Sequence, residues 1–354
     1  MSATSEFAPL LWEGRTAGRL VQCLLFALAF CIGPLHRSEG AEQPHQPSLE
    51  DYLKRLRYEP VAFEYHRNQP LIDGQLAGKK CVFLVDTGCT ITKLDQAAGA
   101  GLKTLEQLGV VLDDPLLGSL TNASIVLMEK LTLGRAQFMN QPAERKNLDM
   151  DFVALPYEGI LGFDFLLRNF CLIDCANHRL YVRGDKPSEE TSKALAETLH
   201  RSGFTDVDLR GNSYFKVEAL INNQPAELLV DTGAFVSTVD QSEVKRLALK
   251  TVKETQVGSL IPKETGTVAV GSGKIGAHKM RVAKLDRLQI GGVDWQSLYF
   301  GLADLNAWGI ANQQGLKRFH GMLGADGLAS QRALIDFSTR KLWFLVPKKT
   351  ARQP

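Results

Sequence analysis

The chain has 354 residues, enough for two domains that each bury a core of their own. Its 41 basic and 39 acidic residues leave a formal net charge of +2, and 44% of its residues are hydrophobic. These values are ordinary for a globular protein, and they give no reason to expect nucleic acid or an acidic substrate as a partner.

The first 41 residues predict a signal peptide or an N-terminal membrane anchor. Arg15 and Arg19 precede an apolar run from Leu20 to Gly33, in the order of the charged and apolar regions of a signal peptide. The run is shorter than the about 20 residues that a membrane-spanning helix needs. We therefore expect an exported protein that is periplasmic, secreted or anchored at the membrane. A buried N-terminal helix is the alternative.

Two short helices are predicted, one before the first lobe and one between the two lobes. Residues 42–60 read as a short helix and linker that stops at Pro60, and Lys193–His200 read as a helix before Gly203. The predicted organisation is therefore a first lobe at 61–183, a linker helix at 184–204, a second lobe at 205–347 and a tail at 348–354.

Three phrases occur in the same order in both lobes, which indicates an internal repeat. VFLVDTGCTIT (82–92) and LLVDTGAFVST (228–238) hold Asp-Thr-Gly triplets 145 positions apart. EGILGFDFLLRNFCLIDCANHRLYV (158–182) matches HGMLGADGLASQRALIDFSTRKLWF (320–344) at a distance of 162 positions. Each is preceded by a strand-turn-strand phrase, LTLGRAQF (131–138) or LQIGGVDW (288–295). The copies have the length of one domain each.

Most of both copies follows the alternating pattern of β-strands. Hairpins are predicted at Gly78 and at Asn222-Asn223, where turn residues separate two alternating runs. Short strands, Gly-rich turns and few helices favour an all-β fold with two barrel-like lobes.

Each copy brings one carboxyl group, Asp86 or Asp231, to the end of an apolar strand. If the lobes pack about a pseudo-twofold axis, the two carboxyls meet at that axis. Two carboxyls in contact cannot both ionise, so they share one proton. One then takes a proton from water while the other donates a proton to a peptide carbonyl, which is amide hydrolysis by general acid–base catalysis.

The residues that follow each Asp suit a supporting role. Gly88 and Gly233 allow a close approach of backbone to a neighbour, and Thr87 and Thr232 are expected to hydrogen-bond backbone across the interface. No Gly-x-Ser-x-Gly sequence is present, which disfavours a serine hydrolase.

These motifs resemble those of the pepsin-type aspartic peptidases, in particular the retroviral-protease-like branch, over about residues 60–347. The family pattern is Asp-Thr-Gly or Asp-Ser-Gly after an apolar strand, followed later by an apolar-apolar-Gly motif and a short helix. That motif is present twice, as Ile160, Leu161, Gly162 and as Met322, Leu323, Gly324. The resemblance implies two homologous acid-protease-like β-barrel lobes in one chain, with Asp86 and Asp231 as catalytic residues and no metal or cofactor.

The resemblance also implies a flap over the cleft. The candidate lies at residues 265–285 and contains Gly271, Gly273 and Gly276. These glycines spell G-x-G-x-x-G, but a dinucleotide site requires a helix next, and the following residues alternate like a strand. The matching region of the first copy has fewer glycines. Cys89 stands where family members usually have Ala, as Ala234 does in the second copy.

Four cysteines, Cys81, Cys89, Cys171 and Cys175, lie in the first copy. Disulfides between them are allowed if the protein is exported, and four buried thiols are the alternative. The spacing of the cysteines and histidines is not that of a metal site.

The expected function is that of an aspartic endopeptidase that acts on a peptide or protein substrate, as a monomer with an intramolecular dyad. A non-catalytic peptide- or protein-binding module that retains the fold is the alternative. A third arrangement pairs each lobe with a lobe of another chain.

Overall fold

Strands dominate the computed structural model of the protein, which describes residues 48–109, 124–148, 157–252, 281–305 and 319–346. The chain separates into the units Met1–Gln46 and Pro47–Pro354, and the described residues belong to the second. The predicted signal or anchor segment and the flap glycines Gly271, Gly273 and Gly276 lie outside the described residues. None of the helices in the described part is long and apolar enough to cross a membrane.

The first lobe is a closed barrel. Its sheet contains seven strands: β2 (Glu64–His66), β3 (Gln69–Leu76), β4 (Lys79–Val85), β5 (Lys93–Asp95), β6 (Ile125–Leu133), β7 (Ala136–Lys146) and β8 (Gly159–Leu161). Their order is β2-β3-β4-β8-β5-β7-β6, and β3 also pairs with β6, so that six strands close on themselves. In β3 every second side chain is buried, which is the alternation of a strand with one face on a core.

The second lobe repeats this architecture. Its strands are β12 (Lys216–Ile221), β13 (Gln224–Val230), β14 (Thr238–Asp240), β15 (Lys250–Val252), β16 (Arg281–Ile290), β17 (Val293–Ala303) and β18 (Gly321–Leu323). The order is β12-β13-β18-β14-β17-β16-β15, and an added pairing of β12 with β16 closes the barrel.

A third sheet joins the lobes. It consists of β1 (Glu59–Ala62), β9 (Leu172–Asp174), β10 (Arg179–Val182), β11 (Phe204–Asp208), β19 (Leu334–Asp336) and β20 (Lys341–Leu345), in the order β1-β10-β9-β19-β20-β11. At its centre Ile173 lies opposite Ile335 in an antiparallel pair. These are matching positions of the two copies, so the pseudo-twofold axis passes between them. The predicted all-β fold with two barrel lobes is confirmed.

The described part also contains a 3-10 helix (Gln241–Glu243) and five α-helices: α1 (Leu49–Arg55), α2 (Leu105–Leu108), α3 (Phe163–Arg168), α4 (Glu189–Arg201) and α5 (Ala325–Ser330). Leu53 of α1 and Leu195 and Leu199 of α4 pack with Leu172, Leu334 and Trp343 of the third sheet. These two helices therefore bury apolar side chains of the sheet that joins the lobes.

Both predicted helices form, with different ends. Helix α1 stops at Arg55 rather than just before Pro60, because Arg57 adopts a left-handed conformation and Pro60 enters an edge strand. Helix α4 starts at Glu189, four residues before the predicted start, because the Ser188 hydroxyl accepts a hydrogen bond from the Thr191 amide and caps the helix.

The two predicted hairpin turns are confirmed. Asn222 and Asn223 have φ values of 48° and 65°, and Ala77 and Gly78 have values of 49° and 83°. Positive φ at both central residues is the geometry of a tight two-residue hairpin. The four cysteines of the first copy are buried thiols, with no disulfide among them, which decides between the two alternatives left open by the sequence.

Candidate active site

Each Asp-Thr-Gly triplet begins where an inner strand of a barrel ends. Asp86 follows β4 and Asp231 follows β13, and the preceding residues Val85 and Val230 are fully buried. The amide of Asp86 donates to the Leu161 carbonyl at 3.0 Å, and the amide of Asp231 donates to the Leu323 carbonyl at 3.1 Å. The parallel pairings of β4 with β8 and of β13 with β18 therefore continue into the triplets.

The two carboxyl groups lie side by side and hydrogen-bond each other. Each also lies against the glycine of the other triplet. A Cβ atom on Gly88 would come within 2.4 Å of the Asp231 carboxyl, and one on Gly233 within 2.3 Å of the Asp86 carboxyl. Only glycine leaves room for this reciprocal approach. The structure thus brings Asp86 and Asp231 together as the sequence predicts.

Backbone amides hold both carboxyls in the same way. The Oδ1 atom of Asp86 accepts from the amides of Gly88 at 2.8 Å and Cys89 at 3.0 Å. The Oδ1 atom of Asp231 accepts from those of Gly233 at 2.9 Å and Ala234 at 3.0 Å. One oxygen of each carboxyl is therefore fixed by the backbone of its own loop.

The threonines lock the two loops together. Thr87 Oγ1 donates to the Val230 carbonyl and Thr232 Oγ1 donates to the Val85 carbonyl, each at 2.7 Å. Each hydroxyl also accepts the amide of the other threonine, at 3.1 Å and 3.0 Å. All four bonds are buried and all four cross between the lobes, so the supporting role predicted for these residues matches their position.

Burial raises the pKa values of both carboxyls. Burial raises the pKa of Asp231 well above its usual value, and the charge of Asp86 raises it further. Burial also raises the pKa of Asp86, while the Gly88 amide and the cation of Lys93 oppose that rise. The pair therefore holds a proton at a pH at which isolated carboxyls have lost theirs. The titration belongs to the pair as a whole.

The apolar-Gly motifs pass directly behind the triplets. A Cβ atom on Gly162 would lie 2.7–2.8 Å from backbone atoms of Cys89, Ile91 and Thr92, and Gly324 meets the second triplet's loop in the same way. Ile160 and Leu161 form strand β8, and Met322 and Leu323 belong to β18. These motifs position the loops and do not contribute a reactive group.

Two carboxylates that the sequence pattern did not single out hydrogen-bond the loops behind the triplets. Asp164 Oδ1 accepts from the amide and the hydroxyl of Thr92, at 2.7 and 2.6 Å. In the second lobe Asp326 Oδ1 accepts from the amide and hydroxyl of Ser237, each at 2.7 Å. Both pairs recur at the distances of the repeat, 162 positions for the acids and 145 for the hydroxyl residues. That recurrence was the signal that would have found them.

Three further groups near Asp86 were also missed, and they belong to a single side of the dyad. The cation of Lys93 acts on both the Cys89 thiol and the Asp86 carboxyl. Tyr157 is buried and its pKa is raised mainly by burial and then by the charge of Asp86. The Tyr214 hydroxyl hydrogen-bonds Thr90. No group of three or more His, Cys, Asp or Glu side chains that could hold a metal ion occurs in the described part of the chain.

Comparison with known proteins gives a family for the second lobe. A family model described as aspartyl protease matches residues 217–326, a segment that holds Asp231, Thr232, Gly233 and the motif ending at Gly324. This segment is similar to the aspartyl protease family. The predicted resemblance to the pepsin-type and retroviral-type aspartic proteases is thereby confirmed.

Two solved structures are similar to the chain. An aspartic proteinase from Irpex lacteus is 14% identical in sequence, with a TM-score of 0.45. The alignment covers 83% of this chain and 99% of that chain. A retropepsin-like aspartic protease from Rickettsia conorii is 17% identical in sequence, with a TM-score of 0.26. The alignment covers 40% of this chain and 89% of that chain. No match was found among curated proteins.

Proposed function

We propose that the protein is an aspartic endopeptidase whose two lobes supply one catalytic carboxyl each, Asp86 and Asp231. The observation that carries the proposal is the reciprocal contact of these carboxyls, with each loop's glycine against the other loop's carboxyl. A structural pair of turn aspartates has no need for this arrangement, because each Asp already satisfies its own loop through one oxygen.

The proposed reaction uses the single proton that the pair retains. The ionised carboxyl removes a proton from a water molecule, and the water oxygen bonds to the peptide carbonyl carbon. The protonated carboxyl gives its proton to the carbonyl oxygen. The tetrahedral intermediate then collapses as the C–N bond breaks. The carboxyl that took the water proton gives it to the leaving nitrogen, the other carboxyl takes a proton from a hydroxyl of the intermediate, and a carboxylic acid and an amine are released. The dyad returns to its singly protonated state.

The substrate class follows from the same site. The proposal takes an extended peptide segment as substrate, held by hydrogen bonds that add it to strand edges beside the dyad. Because both carboxyls come from one chain, it takes the active unit to be a monomer. Export of the protein also stays a proposal, supported by the basic and apolar pattern before Gly33.

Cleavage of a denatured-protein or peptide library by the full chain tests the proposal between pH 3 and pH 7. Asp86→Asn and Asp231→Asn should each lower the rate about 10²–10⁴-fold, because each removes one partner of the proton transfer. Asp73→Asn, at an exposed position of β3, is the matched control and should keep the wild-type rate.

Two results speak against catalysis by this dyad. Wild-type activity in either dyad variant would overturn it directly. A folded wild-type chain that binds peptides without cleaving them at any pH would instead identify the alternative, a peptide-binding module that retains the fold.

A further inference from the structure

A cavity opens in the second lobe on the side of helix α5 that faces strand β17. Its volume is about 70 Å³. One water molecule needs roughly 10–15 Å³ on the same scale, so the cavity is several times larger than a single water requires. Its lining is mostly aromatic and aliphatic, with the carboxyl of Asp326 and the neutral polar residues Ser237, Ser330 and Gln331. Ser330, which is exposed, lies at its rim.

The cavity exists because two large side chains of the first lobe have small counterparts in the second. Phe165 is fully buried and packs edge-on against Phe138, with ring centroids 5.0 Å apart. The residue 162 positions later is Gly327. Arg168, the other large side chain, is matched by Ser330 in the same register. Gly327 and Ser330 both line the cavity.

The lost arginine leaves one carboxylate without its cation. In the first lobe Asp164 uses Oδ1 for Thr92 and Oδ2 for an ion pair with Arg168. In the second lobe Asp326 Oδ1 accepts from Ser237 and from the Gly327 amide at 2.6 Å. Among the described residues Asp326 Oδ2 has no hydrogen-bond or ion-pair partner, although a carboxylate oxygen accepts up to two hydrogen bonds.

The remaining lining suits a cation that carries an alkyl stem. Trp295, Tyr299 and Phe344 present aromatic rings to the cavity. Aromatic faces attract ammonium and guanidinium groups, and a carboxylate pairs with a guanidinium through directed hydrogen bonds. A purely apolar occupant would leave the carboxylate oxygen unpaired, which is unfavourable in a partly enclosed site.

We propose that this cavity is a binding site for a guanidinium or alkylammonium group, which pairs with Asp326 as Arg168 pairs with Asp164. The site is separate from the dyad but connected to it. Ser237 Oγ, which donates to Asp326, accepts the Gly324 amide at 3.0 Å. The preceding residue, Leu323, accepts the amide of Asp231.

The test uses methylguanidine as the probe and the full chain as the protein. The indole N–H signal of Trp295, assigned with a Trp295→Phe variant, should shift on titration until it saturates. Methylurea has the same shape without the charge and should cause no saturable shift. Asp326→Asn keeps an acceptor for Ser237 and Gly327 but loses the charge, and it should weaken methylguanidine binding by at least about tenfold.

Ser330→Arg supplies the missing cation from the chain itself. It should abolish the methylguanidine shift and raise the midpoint of thermal unfolding, whereas Ser330→Gln adds bulk without charge and should not raise it. Binding of a short arginine-containing peptide distinguishes a protein side chain from a small molecule as the source of the cationic group. Tighter binding of the peptide than of methylguanidine indicates a side chain of a protein partner. Equal or weaker binding indicates a small molecule. Equal binding of methylurea, or unchanged binding in Asp326→Asn or Ser330→Arg, would overturn the proposal.

Discussion

Lys93 makes the two halves of the dyad unequal at the level of single residues. Its cation stabilises the ionised form of Asp86, and the residue 145 positions later in the second lobe is Thr238, which has no charge. The pKa of Asp231 is raised by burial and by the charge of Asp86, and it is lowered by the backbone amides of Ala234 and Gly233. The negative charge of the pair is therefore expected to reside mainly on Asp86.

Replacing Lys93 by Met should shift the acidic limb of the pH profile of kcat/KM towards higher pH. Without the cation the carboxylate of Asp86 is less stable, so its pKa rises and a higher pH is needed to form the ionised base. Peptide cleavage measured from pH 3 to pH 7 checks the shift. Lys80→Met, at an exposed position of β4, is the control, and an unmoved limb in Lys93→Met would contradict the expectation.

Asp231→Asn should stabilise the fold more at neutral pH than at acid pH. The folded-state pKa of Asp231 is raised above its unfolded value, so the unfolded chain loses this proton at a lower pH than the folded chain does. Below the unfolded pKa both states are protonated and the group contributes nothing. As the pH rises above it, the folded state is penalised until the folded pKa is passed.

The asparagine removes this penalty while its side-chain oxygen still accepts from the Gly233 and Ala234 amides. Thermal unfolding of the variant and the wild type at several pH values measures the difference. A difference that stays constant, or that shrinks as the pH rises, would show that Asp231 does not have a raised pKa in the folded chain.

At the level of elements, the two Asp-Thr-Gly loops act as one unit because their threonines exchange four hydrogen bonds. Neither loop is complete alone, since each hydroxyl serves a carbonyl and an amide of the other lobe. Three buried aromatic rings from both lobes also pack together, those of Phe163, Phe215 and Phe337, with centroids 4.8–5.4 Å apart.

Thr232→Val should lower the free energy of unfolding by roughly 2 kcal/mol, because it leaves the buried Val85 carbonyl and Thr87 amide without partners. Thr232→Ser retains the hydroxyl and should lose less, which isolates the hydrogen bonds from the rest of the side chain. Urea unfolding of the two variants gives the comparison. Equal losses would assign the effect to packing of the methyl group.

Some elements follow from the sequence because they depend on neighbours along the chain. The hairpin at Asn222-Asn223, the strand ends at Asp86 and Asp231 and the crossing glycines all have local signatures, and each signature occurs in a repeated context. Helix α4 was shorter in the prediction because the cap at Ser188 was not recognised.

Other features depend on tertiary contacts that no local pattern specifies. The ties of Asp164 to Thr92 and of Asp326 to Ser237 join residues 72 and 89 positions apart. The influence of Lys93 on Asp86 depends on where β5 lies beside β8 in the barrel. The cavity beside Asp326 depends on the small residues Gly327 and Ser330, and their significance becomes visible only when they are compared with Phe165 and Arg168 of the first lobe.

At the level of the whole molecule, both carboxyls of the proposed dyad belong to one chain. A mixture of the Asp86→Asn and Asp231→Asn proteins should therefore have no more activity than either variant alone, at any concentration. If lobes of different chains formed the site, mixed pairs would restore one intact dyad in part of the population. Peptide cleavage over a range of total protein concentration distinguishes these cases.

The central strand pair has a consequence for the origin of the two-lobed chain. Strands β9 and β19 both read Leu-Ile-Asp, and they pair antiparallel about Ile173 and Ile335. Such a contact is self-complementary: the same surface serves both partners, as in a homodimer with twofold symmetry. An ancestor with one lobe could have joined a second copy of itself through this strand before duplication fused the two. The two lobes now differ at Lys93, whose counterpart is Thr238, and at Arg168, whose counterpart is Ser330, and a symmetric dimer of identical chains cannot carry such differences.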